Sequence, residues 1–125
     1  MTETLNITTT RADQSKLAEI DFTNLPFGKV FSDHMFIAEY ENGEWTNLQI
    51  LPYGPILMSP AISALHYGQA IFEGMKAYRQ ADGKISVFRA DKNFERFNKS
   101  AMRMAMPTIP RDVFMQGIEA LINID

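Results

Sequence analysis

The dipeptide Asn42-Gly43 constrains this chain more than any other feature. It separates two runs rich in apolar and aromatic residues, HMFIAEYE at 34–41 and EWTNLQILPY at 44–53. A two-residue hairpin turn needs positive φ at its centre, which Asn and Gly adopt at low cost. The pair therefore predicts an antiparallel hairpin. Pro52, Pro55 and Pro60 divide the next stretch of chain into short extended pieces.

A second hairpin is predicted around Ala81-Asp82-Gly83, with strands over 75–79 and 84–89. In the return strand Ile85, Val87 and Arg89 alternate with Ser86 and Phe88, the period of a pleated strand. Between the hairpins, 61–74 reads as a short helix that Gly68 and Gly74 weaken. The clearest helix covers 91–106, with Asp91 as its N-cap and Phe94, Phe97, Ala101 and Met104 as a core stripe. Pro107 and Pro110 end it and introduce a second amphipathic helix over 111–124, striped by Phe114, Ile118, Leu121 and Ile122. Residues 1–16 are polar and Thr-rich and read as a flexible N-terminal arm. Residues 17–28, with Asn24, Pro26 and Gly28, read as irregular. The fold class expected is α/β in the α+β sense: an antiparallel sheet with helices packed on one side.

At 125 residues the chain has room for one hydrophobic core, not two ordinary domains. With 46% hydrophobic and 22% charged residues, wholesale disorder is not expected. The lack of cysteine excludes disulfide scaffolds, thiolate nucleophiles and Cys-based metal sites. A net charge of -3 argues against a dominant attraction to nucleic acid or to an anionic membrane. No secretory signal is visible, and no run approaches the roughly 18 apolar residues of a membrane span. Without such a signal, the acceptor pattern Asn6-Ile7-Thr8 carries no glycosylation reading. The last helical pattern runs to Asp125 without a stop signal after it, as in a chain cut rather than finished.

His34 and His66 are not at metal-ligand spacing, so no metal site is expected. Ser63 and His66 are neighbours in sequence only, which does not make a nucleophile pair. No GxGxxG, Walker, GxSxG or HExxH pattern occurs. Arg96, Lys99 and Arg103 share one helix face, either as a solvated surface or as an anion site. Arg96 lies between Phe94 and Phe97, and a guanidinium can hold phosphate through two parallel hydrogen bonds. The segment LHYGQAIFEGMKAYR brings Tyr67, Phe72 and Tyr78 close to slim Gly68 and Gly74, either as core packing or as an aromatic pocket wall.

SALHYGQAIFEGMKAYR, followed by FRADKNFERFNKSAMRMAMP, resembles the branched-chain amino acid aminotransferases of the fold-type IV group of pyridoxal-phosphate enzymes. PFGKVFSDHMF upstream and LINID at the end extend the resemblance over 25–125. Ala90 stands where many members carry proline. The resemblance implies the small domain of a fold-type IV enzyme, here incomplete over 17–125, with the family's large lysine-bearing domain absent. It implies transfer of the amino group between leucine, isoleucine or valine and 2-oxoglutarate, with pyridoxal 5'-phosphate as cofactor. The pattern NxxRxxxSA reads Asn93, Arg96, Ser100, Ala101 here, which makes Arg96 the match to the residue that binds the cofactor phosphate. Tyr67 and Phe72 match the lining of the side-chain pocket, and Phe27 of the upstream Phe-Gly pair is a further candidate. None of Lys16, Lys29, Lys76, Lys84, Lys92 and Lys99 matches the family's Schiff-base lysine, so no catalytic residue is assigned in this chain. A cytoplasmic homodimer acting on branched-chain amino acids and 2-oxo acids is the further implication. The alternatives are another fold-type IV enzyme, such as a D-amino acid aminotransferase or aminodeoxychorismate lyase, and a non-catalytic binding module.

Overall fold

A computed structural model describes residues 4–125 and shows a mixed α/β chain. The backbone forms two compact units, one of residues up to 55 together with 116–125, the other of residues 56–115. Residues 1–3 of the expected arm lie outside the described residues.

In the first unit the predicted hairpin forms as β2 (His34–Glu41) and β3 (Glu44–Pro52), paired antiparallel from His34 opposite Pro52 to Glu41 opposite Glu44. Asn42 and Gly43 both have positive φ, at 52° and 90°, as the tight turn requires. The register shifts between Ile37 and Glu39: two residues of β2 span three of β3. Asn47 takes up the bulge with φ 54° and donates its amide to Glu39. β1 (Thr8–Thr9), inside the segment read from sequence as an arm, pairs parallel with β3, so the sheet order is β1-β3-β2 and not purely antiparallel. Parallel pairing leaves no hairpin turn to announce it, and two threonines carry no periodicity. Ile50 of β3 is the most buried apolar side chain of this unit.

His34 is buried at the start of β2 and bonded on both ring nitrogens. Its Nε2 accepts the Ala12 backbone N–H at 2.9 Å, so Nδ1 bears the proton and meets Asp125 Oδ1 at 2.5 Å. Gly117 sits against Phe36 of β2: a Cβ there would come within 2.5 Å of the ring. Only a glycine allows so close an approach.

The second unit holds α1 (Ser63–Tyr67), the hairpin of β4 (Ala77–Arg79) and β5 (Ile85–Val87), and α2 (Ala90–Arg103). α3 (Arg111–Ile124) starts in this unit and ends in the first. Three expectations need correction. The helix expected over 61–74 is a single turn, because Gly68 turns left-handed at φ 62° and ends it. Asp91 is not the N-cap of α2; it lies in the first turn, and Arg89 occupies the cap position at φ 53° without a side-chain cap. Met104 is exposed, not core, because the helix has already ended at Arg103.

That end is a Schellman closure: Met106 N–H bonds to Ala101 carbonyl at 2.8 Å, and Ala105 N–H to Met102 carbonyl at 3.2 Å. Asn98 then ties α2 to the turn before α3, accepting from Ile109 N–H and donating to its carbonyl, both at 2.9 Å. Phe94 and Phe97 pack their rings on Phe114, with Ala101 and Val113 buried beside them in sequence.

Candidate functional site

α2 fixes the chemistry-bearing groups of the second unit. Asn93 and Arg96 are three residues apart and so share a helix face. Both reach Glu73, in the extended segment that leads into β4. Arg96 donates Nε–H to Glu73 Oε2 at 3.2 Å and Nη2–H to Oε1 at 2.7 Å, a two-pronged ion pair. Asn93, itself buried, donates its amide to Glu73 Oε1 at 2.9 Å and to Gly74 carbonyl at 2.8 Å. The hydrogen bond from Arg96 holds the Glu73 carboxyl below its ordinary range, against the opposing effect of burial. The same bond raises the affinity of Arg96 for its proton.

The Glu73 side chain is 14% exposed, but that of Arg96 is 59% exposed. Arg96 lines an open cleft of about 590 Å³, within the range of small-molecule sites. Lys76, Arg89, Lys92 and Lys99 bring further positive charge to it, and Glu95 is the acid in its lining. Lys92 is paired with Glu95 at 2.7 Å. This donor set fits a phosphate: several cations, and one guanidinium already held in place.

The other sequence-derived candidates are not among the residues that line that cleft. Phe72 lines a shallower neighbouring hollow with Ile71, Lys99, Ser100, Arg103 and Met104, so Lys99 is common to both. Tyr67 ends α1 and lines neither, and Phe27 belongs to the first unit. Tyr67, Phe72 and Phe27 are 85%, 84% and 98% exposed, so the chain brings them into no enclosed pocket. Glu73 and Asn93 gained no role from the sequence beyond their places in the motifs. The signal that could have found them was a lone carboxylate inside the apolar, small-residue run AIFEGM, where burial demands a partner. Among the described residues no group of three His, Asp or Glu could hold a metal ion. No described helix is long and apolar enough to cross a membrane.

No family model matches the chain. Among curated proteins it is 48% identical over 103 residues to a branched-chain-amino-acid aminotransferase of Mycolicibacterium smegmatis, covering 82% of this chain and 28% of that protein. It is 42% identical over 106 residues to branched-chain-amino-acid transaminase 1 of Bacillus subtilis, covering 84% and 30%. A branched-chain-amino-acid aminotransferase of Mycobacterium tuberculosis is 48% identical over 100 residues, covering 79% and 27%. The chain thus spans less than a third of the length of these relatives.

Proposed function

Because the chain belongs by sequence to the branched-chain-amino-acid aminotransferase family, we propose that it supplies the phosphate anchor and part of the side-chain pocket of such an enzyme. The substrates are leucine, isoleucine or valine and 2-oxoglutarate, and the cofactor is pyridoxal 5'-phosphate. One observation carries the reading: Arg96 is held by Glu73 through Nε and Nη2 and lines a cleft with Lys76, Arg89, Lys92 and Lys99. When bound, the cofactor supplies the electron sink for exchange of the amino group.

The chain's own residues would do three things. Arg96 grips two phosphate oxygens through its free N–H groups, while Lys76 and Lys99 offset the rest of the dianion's charge. Phe72 and Tyr67, with Phe27 as the further candidate, give apolar surface to the branched side chain, each buried methylene contributing about 0.8 kcal/mol. The exposed rings keep that surface open to whatever completes the pocket. None of the six lysines is assigned to proton transfer. The domain reading goes with this one: 17–125 as small-domain material of a fold-type IV enzyme that works as a cytoplasmic homodimer.

The test is titration with pyridoxamine 5'-phosphate, whose amine does not condense with surface lysines, followed by ring fluorescence. Saturable binding that Arg96→Ala weakens about tenfold or more is the expected result. Equal binding by the two proteins overturns the anchor. Transamination of leucine by this chain alone with pyridoxal 5'-phosphate and 2-oxoglutarate would overturn the assignment of no catalytic lysine.

A further inference from the structure

We propose that Glu73, locked by Asn93, is the positioning residue that aims Arg96 at the cofactor phosphate. The inference rests on the phosphate-anchor reading above and assigns the cause of its geometry. A guanidinium has five N–H groups on three edges. Glu73 occupies the edge formed by Nε and Nη2, at 3.2 and 2.7 Å. That leaves one parallel N–H on each Nη, the end-on edge, which matches two oxygens of a phosphate. An arginine that is 59% exposed would otherwise sample many rotamers and lose their entropy on binding. The carboxylate is itself fixed: Asn93 donates one amide hydrogen to Glu73 Oε1 and the other to the Gly74 carbonyl. Asn93 is buried on α2, so the chain of constraint runs from the helix to the carboxylate and then to the guanidinium.

Charge and position make opposite forecasts. If Glu73 acted only as a nearby negative charge, Glu73→Gln would tighten binding of an anion. If it positions Arg96, the same change weakens binding, because the amide cannot accept both N–H groups in the fork. The probes are pyridoxamine 5'-phosphate and phosphate-free pyridoxamine, titrated against the full chain and its variants. Glu73→Gln is expected to weaken the phosphate form about tenfold and leave pyridoxamine binding unchanged. Glu73→Asp, which keeps the charge but draws the carboxylate back, falls in between. Asp82→Asn, which removes a charge at an exposed turn outside the cleft lining, leaves binding unchanged.

Unchanged or tighter phosphate binding by Glu73→Gln overturns the positioning role. If Arg96→Ala also has no effect, the anchor reading has failed as well; if Arg96→Ala weakens binding, the anchor stands and only the positioning role falls. Should Glu73→Gln not fold, nitrogen-15 NMR of the unliganded, unaltered chain decides. A sharp, slowly exchanging Arg96 Nε–H supports the fork, and a fast-exchanging one overturns it.

Discussion

Glu73 ties residue-level electrostatics to acid stability. Its carboxyl is held below the ordinary value, first by the Arg96 hydrogen bond and then, against burial, by Asn93. A depressed folded-state value means stability that is complete above the unfolded carboxyl's range and lost as pH falls through the folded one. Glu73→Gln should therefore flatten the acid limb of a stability profile below about pH 4.5 relative to the unaltered chain. Urea melts at stepped pH read the difference, and parallel acid limbs would count against the fork as a stabilising contact. Ala105 carries a different cost. It sits at the left-handed C′ position of α2 with φ 53°, where glycine has no Cβ to clash. Ala105→Gly should stabilise the chain by roughly 0.5–1 kcal/mol, raising its urea midpoint without changing the slope.

At the scale of elements, close approach matters more than pattern. α3 meets β2 through the backbone of Gly117, whose missing side chain makes room for Phe36. Gly117→Ala gains helix propensity, about 1 kcal/mol, but drives a methyl into the ring, which typically costs about 1–3 kcal/mol in a packed site. The net expectation is a loss of about 1 kcal/mol, recovered in part when Phe36→Leu is added, so the two changes should couple in a double-mutant cycle. Additive effects would show that the ring has free room to move. Such contacts explain what the sequence could and could not reveal. The hairpin at Asn42-Gly43 was legible because its turn chemistry is local, and α2 and α3 because their stripes and flanking prolines are local too. β1 was not, since two threonines joining a strand more than thirty residues away leave no local mark. The end of α1 at Gly68 was half visible: glycine flagged a weak helix, but only its positive φ makes it a stop. Of the candidate site, Arg96 was legible from its motif, whereas its dependence on Glu73 needed a contact across 23 positions.

The whole chain buries little relative to what it exposes. Among the described residues Ile50, Ala101 and Val113 are the buried apolar side chains, while Phe22, Phe27, Leu57, Tyr67, Phe72 and Phe88 lie open to solvent. Both units show this, the first through Phe22 and Phe27 and the second through the other four. Single exposed apolar residues are ordinary, but aromatic side chains bury roughly 150–250 Å² each when covered, so several left open are a strong drive to association. A net charge of -3 opposes that drive weakly, and screening at physiological salt cuts its reach to about 8 Å. The chain by itself should therefore self-associate at micromolar concentration. Light scattering is expected to give a mass that rises with concentration and rises further with added salt, as charge repulsion is removed and apolar contact is not. Leu57→Ser with Phe72→Ser should lower the association, since both side chains are almost wholly exposed and their loss leaves the buried set untouched. A constant monomer mass across that range would show instead that the open aromatic surface is tolerated in water.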